Sequence, residues 1–168
     1  WHGKPRDFDF EVTWSVSPGV LLGTLVNAGG PELVDGAGNR WLADRAYTSG
    51  GWGYVGAGSN TYTDSSGNDI VGTTDDALYR TERWWPPASG AGVGGYRFDV
   101  ANGQYDVVLR FAEIYSYGSG QRVFSVQIEG QTVISGLDLL AQYGRYVAQD
   151  FVFRTTVGDG RLDIAFVG

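Results

Sequence analysis

The 168-residue sequence contains no cysteine and a single histidine, His2. Without thiols it can form neither disulfide bonds nor metal sites with thiolate ligands. One histidine close to the N-terminus argues against Ser-His-Asp and Cys-His nucleophiles and against a metal centre of several histidines. No run of apolar residues approaches the roughly 18 consecutive residues that a membrane-spanning helix needs. The sequence therefore disfavours nucleophilic hydrolases, histidine metal centres and helical membrane proteins.

Positive charge is also scarce, since 12 Lys and Arg residues face 19 Asp and Glu residues and the formal net charge is −7. Nucleic acids and anionic membranes select basic surfaces, so we expect the chain to bind neither. A neutral ligand such as a sugar is indifferent to net charge. The length and the 42% hydrophobic content suit one folded domain.

Glycine and aromatic residues are abundant by contrast, because the chain has 27 Gly, 6 Trp, 10 Tyr and 8 Phe. Glycine allows tight turns, and aromatic rings offer flat apolar faces with polar edges. The combination indicates a loop-rich β scaffold that presents some of its rings to solvent.

Apolar residues alternate with polar ones through the second half of the sequence, which predicts antiparallel strands. The alternating segments are residues 96–100, 105–111, 124–134, 151–157 and 162–166. Asn102-Gly103, Glu129-Gly130 and Asp159-Gly160 are each expected to close a hairpin, because these residue types tolerate positive φ. One short helix is expected within residues 136–143. The prediction is an all-β protein, an antiparallel β-sandwich.

The first half of the sequence is less regular. Residues 1–18 are interpreted as an N-terminal linker or an extra edge strand, and residues 19–168 as a single sandwich domain. Residues 28–95 show little periodicity and are expected to form long loops rich in glycine and aromatic residues.

Acidic residues offer two candidate chemistries, each with a structural alternative. Glu82 and Glu113 would serve a glycosidase if their carboxyl groups faced each other across a sugar, about 5 to 9.5 Å apart. They would otherwise be structural acids held by ion pairs or hydrogen bonds. Asp64, Asn68 and Asp69 carry oxygen atoms that a structural calcium ion could use, but an Asx turn explains the run equally well. No metal or other cofactor is predicted.

Six aromatic residues stand in or beside glycine- or proline-rich segments, where loops bring side chains to the surface. They are Trp52, Tyr54, Trp84, Trp85, Tyr115 and Tyr117. Burial in the core is the ordinary outcome for any one ring, but six together predict an exposed aromatic surface, which usually marks a binding site. A sugar suits such a surface, because its C–H face packs on an aromatic plane while its hydroxyls need polar partners.

Six short motifs, in order over about residues 22–167, resemble the malectin-like family of carbohydrate-binding domains. They are Val26–Gly30 (VNAGG), Leu78–Arg83 (LYRTER), Leu109–Tyr115 (LRFAEIY), Arg122–Phe124 (RVF), Ile128–Gly130 (IEG) and Asp159–Leu162 (DGRL). The resemblance implies a jelly-roll-like, galactose-binding-like β-sandwich with long loops, in which aromatic residues at one end hold the sugar.

The resemblance also implies ligand roles for individual residues. Trp84 follows the TER run and Tyr115 closes the FAE-x-Y run, whereas Trp52 or Tyr54 corresponds loosely to an aromatic of the glycine-rich loop. Where the family has a second aromatic after Tyr115, this sequence has Ser116, with Tyr117 next. In the family, an acidic residue that contacts the ligand and a final strand both follow the last strand matched here. Residues 7–16 are the alternative segment for the position of that final strand.

The function predicted from these observations is a non-catalytic carbohydrate-binding module for glucan-type oligosaccharides. The stacking rings would be Trp52, Tyr54, Trp84, Tyr115 and Tyr117, and the hydroxyl partners would be Asp75, Asp76, Arg83 and Glu113. The alternative is a protein-interaction or adhesion sandwich that has lost sugar binding. The family further implies a secreted or cell-surface location, a bacterial source and a place within a larger multidomain protein.

Overall fold

The computed structural model describes residues 9–15, 21–86 and 94–168, with side chains from residue 23 onwards. The beginning and end of the expected N-terminal linker lie outside these ranges. The described residues form thirteen strands, a 3₁₀ turn (Asp76–Tyr79) and one helix, α1 (Leu139–Tyr143). The strands are β1 (Asp9–Ser15), β2 (Leu21–Asn27), β3 (Leu33–Val34), β4 (Arg40–Ala43), β5 (Trp52–Val55), β6 (Asn60–Thr63), β7 (Thr81–Trp84), β8 (Gly94–Asp99), β9 (Gly103–Phe111), β10 (Phe124–Ile128), β11 (Gln131–Leu137), β12 (Gln149–Val157) and β13 (Arg161–Val167).

Two sheets form the body of the molecule. One has six strands in the order β12-β9-β1-β2-β4-β3, and the other has five in the order β11-β10-β13-β8-β5. Neighbouring strands run antiparallel except β2 and β4, which are parallel. A separate ribbon pairs β6 with β7. The expected all-β sandwich is confirmed.

The core lies between the two sheets because β9, β10 and β13 bury every second side chain. In β9 the buried residues include Leu109 and Phe111, and in β10 they are Phe124, Val126 and Ile128. The rings of Phe111 and Phe124 meet edge to face across the interface, with centroids 5.6 Å apart. Residues from both sheets thus share one hydrophobic cluster, which holds the layers together.

Only one of the three glycine-containing turns is a hairpin. Glu129-Gly130, with φ of 50° and 73°, joins the paired strands β10 and β11 as expected. The hairpins expected at Asn102-Gly103 and Asp159-Gly160 are wrong, because β8 and β9 belong to different sheets, as do β12 and β13. Alternation predicts which face of a strand is buried, but both sheets bury a face against the same core, so it does not reveal which sheet a strand joins.

The two sheet-crossing connections are tied to each other by Asn102. Its Nδ2 donates to the Gly158 carbonyl at 3.0 Å, and its Oδ1 accepts from the Gly160 N–H at 2.7 Å. The backbone adds a bond from Val100 N–H to the Gly160 carbonyl at 3.0 Å. These bonds fix where the chain leaves one layer and enters the other.

The segment expected as an edge strand occupies an interior position. β1 pairs antiparallel with β2 on one side and with β9 on the other. Both of its edges are therefore used, and the division of the chain between residues 18 and 19 stays a prediction. The expected short helix is confirmed as α1, which Asp138 caps by accepting the Ala141 N–H at 2.9 Å. No helix in the described parts of the chain has the length and apolar character to cross a bilayer.

Replacing Asn102 with alanine removes both side-chain bonds between the crossing connections. We expect Asn102→Ala to lower the free energy of unfolding by about 1–2 kcal/mol, since each bond contributes roughly 1 kcal/mol. Urea denaturation measures the change, with Gln142→Ala, an exposed amide in α1, as the control. Equal stability of the two variants would contradict the role assigned to Asn102.

Candidate functional site

The ribbon of β6 and β7 has two faces that carry different side chains. Tyr62 lies opposite Glu82, and Asn60 lies opposite Trp84. Because facing residues of an antiparallel pair project to the same side and neighbours along a strand alternate, Tyr62, Glu82 and Trp84 share one face. Arg83 lies on the other face.

Four tyrosines and one arginine gather on the Tyr62 side of the ribbon. The ring of Tyr62 meets that of Tyr115 edge to face, with centroids 5.0 Å apart. The guanidinium carbon of Arg145 lies 3.8 Å from the ring centroid of Tyr117 and 4.5 Å from that of Tyr146. We call Tyr62, Tyr115, Tyr117, Tyr146 and Arg145 the tyrosine cluster.

Electrostatics link the two halves of this cluster. Burial raises the pKa of the Tyr62 phenol, nearby Asp64 and Tyr146 raise it further, and Arg145 opposes them. Tyr62 therefore lies close enough to Arg145 and Tyr146 to interact with them electrostatically. Tyr117 is 81% exposed, while Tyr62, Tyr115, Tyr146 and Trp84 are half-buried. The cluster is thus an aromatic surface that solvent can reach and that half-buried rings anchor in the protein.

The backbone at Tyr146 adopts an uncommon conformation. Its φ is +59°, in the left-handed region that bulky residues rarely occupy. The Tyr146 N–H donates to the Glu113 carbonyl at 3.0 Å, and its own carbonyl accepts from the Val71 N–H at 2.8 Å. These bonds hold the strained residue in place, and such strain is concentrated at functional sites.

Glu113 lies beneath Tyr115 and supports the loop that carries this tyrosine. Its Oε1 accepts the N–H groups of Tyr115 at 2.7 Å and Ser116 at 2.6 Å. Arg122 Nη1 donates to Oε1 at 2.8 Å and to Oε2 at 2.9 Å. Ser116 turns inward and is 2% exposed, so the exposed ring after Tyr115 belongs to Tyr117. Glu113 therefore braces this loop from within the protein.

Glu82 lies beside this ion pair in different surroundings. Its Oε2 is 3.9 Å from Arg122 Nη1, and neither of its carboxyl oxygens has a hydrogen-bond partner among the described residues. Burial and then the charge of Glu113 raise the pKa of Glu82 well above its ordinary value. Burial lowers the pKa of Arg122 to about 9, which leaves the guanidinium charged at neutral pH. Burial also raises the pKa of Glu113, but the N–H groups of Ser116 and Tyr115 oppose this effect, so the proton is held more strongly by Glu82 and the ion pair is formed by Glu113 and Arg122.

The two acids do not form a glycosidase centre. Each side chain is 1% exposed, and the Arg122 guanidinium contacts Glu113 and approaches Glu82. A retaining or inverting glycosidase needs a sugar between its carboxyl groups, and this space is already filled by protein. The structural interpretation of Glu82 and Glu113 is the one that this geometry supports.

The loop that follows β6 is fixed by Asp64. Its Oδ2 accepts from Arg80 Nη1 at 2.9 Å and from Ser66 Oγ at 2.8 Å. Its Oδ1 accepts the Ser66 N–H at 3.3 Å, as in an Asx turn, and the Tyr146 hydroxyl at 3.4 Å. In the part of the chain that the structure describes, no group of three or more acidic, histidine or cysteine residues could hold a metal ion. The lack of a cofactor stays a prediction.

The remaining predicted ligand residues lie in structural roles. Trp52 stacks on Phe98 with centroids 5.9 Å apart, and Tyr54 packs edge to face on Tyr96 at 6.5 Å. Both rings belong to β5 and are half-buried against the core. The Arg83 guanidinium covers the Tyr54 ring at 3.4 Å, on the ribbon face opposite Trp84.

The other predicted hydroxyl partners hold loops together. Arg83 also forms an ion pair with Asp44 at 2.5 Å. Asp75 accepts the Gly36 N–H at 2.6 Å, and Asp76 forms an ion pair with Arg80 at 3.0 Å. Of the predicted residues, the structure brings Tyr115 and Tyr117 together, places Glu113 beneath them and places Trp84 on the Tyr62 face of the ribbon.

Sequence reasoning missed Tyr62, Arg145 and Tyr146. Tyr62 stands in a four-residue strand whose partner is known only from the register with β7. A signal for the other two was present, because Arg145 and Tyr146 directly follow Gly144, the kind of glycine-flanked aromatic position that singled out Tyr54. Their polar neighbours Asp64 and Ser66 lie about 80 residues away in sequence.

The sequence and the fold are similar to those of known proteins. A family model described as "Malectin domain" matches residues 23–168. Malectin-B of Xenopus laevis is 33% identical over 91 residues, which are 54% of this chain and 31% of that protein. A probable LRR receptor-like serine/threonine-protein kinase of Arabidopsis thaliana is 28% identical over 172 residues, which cover 86% of this chain and 14% of the kinase.

Among solved structures, a calcium-binding mutant of Bacteroides uniformis beta-glucuronidase 2 is similar, with a TM-score of 0.72 and 28% identity. The similarity covers 87% of this chain and 16% of that chain. The chain spans less than a third of each of these three proteins. The family resemblance that the six motifs indicated is confirmed.

Replacing Glu113 with glutamine leaves the buried Arg122 without its carboxylate partner. We expect Glu113→Gln to lower the free energy of unfolding by about 3 kcal/mol, at the low end for a broken buried ion pair because Glu82 can ionise in its place. Guanidinium denaturation measures the loss. Glu32→Gln breaks a surface pair with Arg40, whose side chains are 46% and 66% exposed, and should leave the midpoint nearly unchanged. Equal losses of stability in the two variants would contradict the supporting role of Glu113.

Protonation of Glu82 makes stability depend on pH. In the folded chain Glu82 keeps its proton at pH values where the unfolded chain has released it, since the ordinary pKa of a glutamate is 4.5. The contribution of protonated Glu82 to the free energy of unfolding is therefore complete below pH 4.5. It is lost as the pH rises through the raised pKa. Glu82→Gln, which mimics the neutral acid, should show a smaller fall in the free energy of unfolding between pH 4.5 and 8. Identical slopes for the two proteins would show that Glu82 is ionised in the fold.

Proposed function

Because the chain belongs to the malectin domain family, we propose that it is a non-catalytic carbohydrate-binding module whose site is the tyrosine cluster together with Trp84. The observation that supports the proposal is a group of half-buried and exposed rings fixed above the buried ion pair of Glu113 and Arg122. Sugar sites combine such apolar walls with a few placed polar groups.

The rings suit a pyranose because they are accessible but restrained. Tyr62 and Tyr115 support each other edge to face, and Arg145 covers a face of Tyr117. A ring that is already ordered loses little conformational freedom when a sugar packs on it. Trp84 adds a larger apolar plane on the Tyr62 face of the ribbon. Stacking on these rings supplies the apolar part of the binding energy.

Polar partners for sugar hydroxyls lie beside the rings. The Tyr146 hydroxyl is 3.3 Å from Ser66 Oγ and 3.4 Å from Asp64 Oδ1, long distances for bonds between oxygens. A sugar hydroxyl that joins this group can strengthen the network. We assign the hydroxyl-binding role to Tyr146 and Ser66, in place of Asp75, Asp76 and Arg83, whose side chains bind other parts of the chain. Glu113 supports the site without touching the ligand.

The absence of catalysis is part of the proposal. Glu82 and Glu113 lie below the cluster and are buried around Arg122, and Asp64, which accepts the Tyr146 hydroxyl, is paired with Arg80. Two buried acids, one of them paired with Arg122, cannot reach a glycosidic bond above the rings. Binding without turnover is the outcome that this arrangement supports.

Three further parts of the proposal concern the natural setting. We propose a glucan-type oligosaccharide as the ligand and an extracellular or cell-surface location within a larger protein, because the Arabidopsis thaliana relative is a receptor-like kinase. The relatives named above come from a frog, a plant and a bacterium, so they do not support the bacterial source expected from the sequence.

Alanine substitution separates rings of the site from rings of the core. Trp84→Ala and Tyr115→Ala should each weaken binding of an oligosaccharide by about 1–3 kcal/mol, the scale of one stacking contact. Trp52→Ala should leave affinity unchanged and lower stability, because Trp52 stacks on Phe98. Calorimetric titration with neutral and acidic gluco-oligosaccharides measures the affinities, and urea denaturation measures the stabilities.

The same titration tests the alternative of a protein-interaction domain. No heat with any saccharide, from a wild-type protein that is folded, would reject the proposed function. Loss of affinity in Trp52→Ala but not in Tyr115→Ala would move the site to the edge strand β5.

A further inference from the structure

Arg145 occupies an unusual position for a charged side chain. Its guanidinium lies between the rings of Tyr117 and Tyr146, 3.8 and 4.5 Å from their centroids. One nitrogen, Nη2, donates to the Ile114 carbonyl at 2.7 Å. The other terminal nitrogen, Nη1, donates to no atom of the described residues. The cation is thus fixed in orientation and retains donors for a further partner.

Arg145 forms no ion pair within the described part of the chain, although its charge acts at longer range on Glu113. Among the arginines that the structure describes, Arg45 and Arg145 are the two with no carboxylate in an ion pair. The acids around the tyrosine cluster are already engaged, since Glu113 binds Arg122 and Asp64 binds Arg80. Glu82 is buried and faces Arg122 at 3.9 Å.

This cation lies among the rings proposed to stack on sugar. Its charge acts on Tyr62, where it opposes the larger effects of burial and of Asp64 on the phenol's pKa. A guanidinium stacked on aromatic rings is weakly hydrated and always charged, so it binds a carboxylate more strongly than it binds a neutral hydroxyl. The net charge of −7 does not prevent this, because physiological salt screens charges beyond about 8 Å.

We propose that Arg145 makes this site selective for acidic saccharides, in which a glucuronate residue places its C6 carboxylate on the Nη1 side of the guanidinium. The inference rests on the proposed function and names its ligand class. The pyranose stacks on the tyrosine cluster as a neutral glucose would, and the carboxylate supplies the counter-ion that the protein does not.

A matched set of disaccharides tests the selectivity. The probes are a neutral gluco-configured disaccharide, its counterpart with a carboxylate at C6 of the terminal residue, and its counterpart with a sulfate at the same position. Calorimetric titration should show the carboxylate form binding about tenfold more tightly than the neutral form, as expected for one charge-assisted hydrogen bond. The preference should shrink in high salt.

Variants at two arginines assign the preference to its residue. Arg145→Gln should weaken binding of the carboxylate form more than binding of the neutral form, so that the preference is lost, whereas Arg145→Lys should keep part of the preference because the charge remains. Arg45→Gln is the matched control, since Arg45 also lacks an acidic partner and lies over an aromatic ring, 4.4 Å from the centroid of Trp52. It should leave the preference intact.

The outcomes separate this inference from the proposed function. Equal binding of the neutral and carboxylate forms by the wild type overturns the selectivity while sugar binding stands. Tighter binding of the sulfate form than of the carboxylate form overturns the assignment to glucuronate. An equal loss for both sugars in Arg145→Gln shows that Arg145 only braces Tyr117. No binding of any disaccharide overturns the proposed function together with the inference.

Discussion

The buried ion pair between Glu113 and Arg122 is the interaction on which the candidate site depends. Removing two charges from water is unfavourable, and mutual attraction repays this only when the remaining hydrogen-bonding groups are satisfied. Glu113 meets that condition by also accepting the N–H groups of Tyr115 and Ser116. Its backbone carbonyl binds the N–H of Tyr146. One residue therefore positions both loops that supply aromatic rings, and the pair is better understood as a means of fixing geometry than as a source of stability.

The sequence allowed the strands to be predicted but not their arrangement in sheets. Alternation located β9, β10 and β13 because each buries one face, and Glu129-Gly130 marked a hairpin because both residues adopt positive φ. Asn102-Gly103 has the same composition as a hairpin turn, but neither residue has positive φ, since the chain passes to the opposite layer there. A local pattern records the conformation of a strand, whereas pairing depends on partners that are distant in sequence.

Glycine was a weaker guide to exposed rings than its number suggested. Gly53 lies between Trp52 and Tyr54, yet it does not mark a flexible loop, because a Cβ there would lie 2.4 Å from the backbone nitrogen of Tyr47. The glycine permits close approach of two backbones, and the flanking rings pack on the core. Glu113 was recognisable as a brace from its place at the end of an apolar strand. Tyr62 was not recognisable, because its partner Tyr115 lies more than 50 residues away in the sequence.

The strained backbone at Tyr146 completes the connection between fold and site. A bulky residue with positive φ costs of order 1–3 kcal/mol, so its retention requires a compensating function or a surrounding structure that leaves no alternative. The surrounding structure supplies the second condition, because Glu113 and Val71 hold its backbone, and the proposed function supplies the first, because its ring contacts Arg145. A relaxed backbone would turn the ring away and release the guanidinium to solvent. The strain thus keeps a cation and an aromatic surface together, and in the proposed function this preorganisation would let a small polar ligand, which exchanges its bonds with water for similar ones, bind with a net gain.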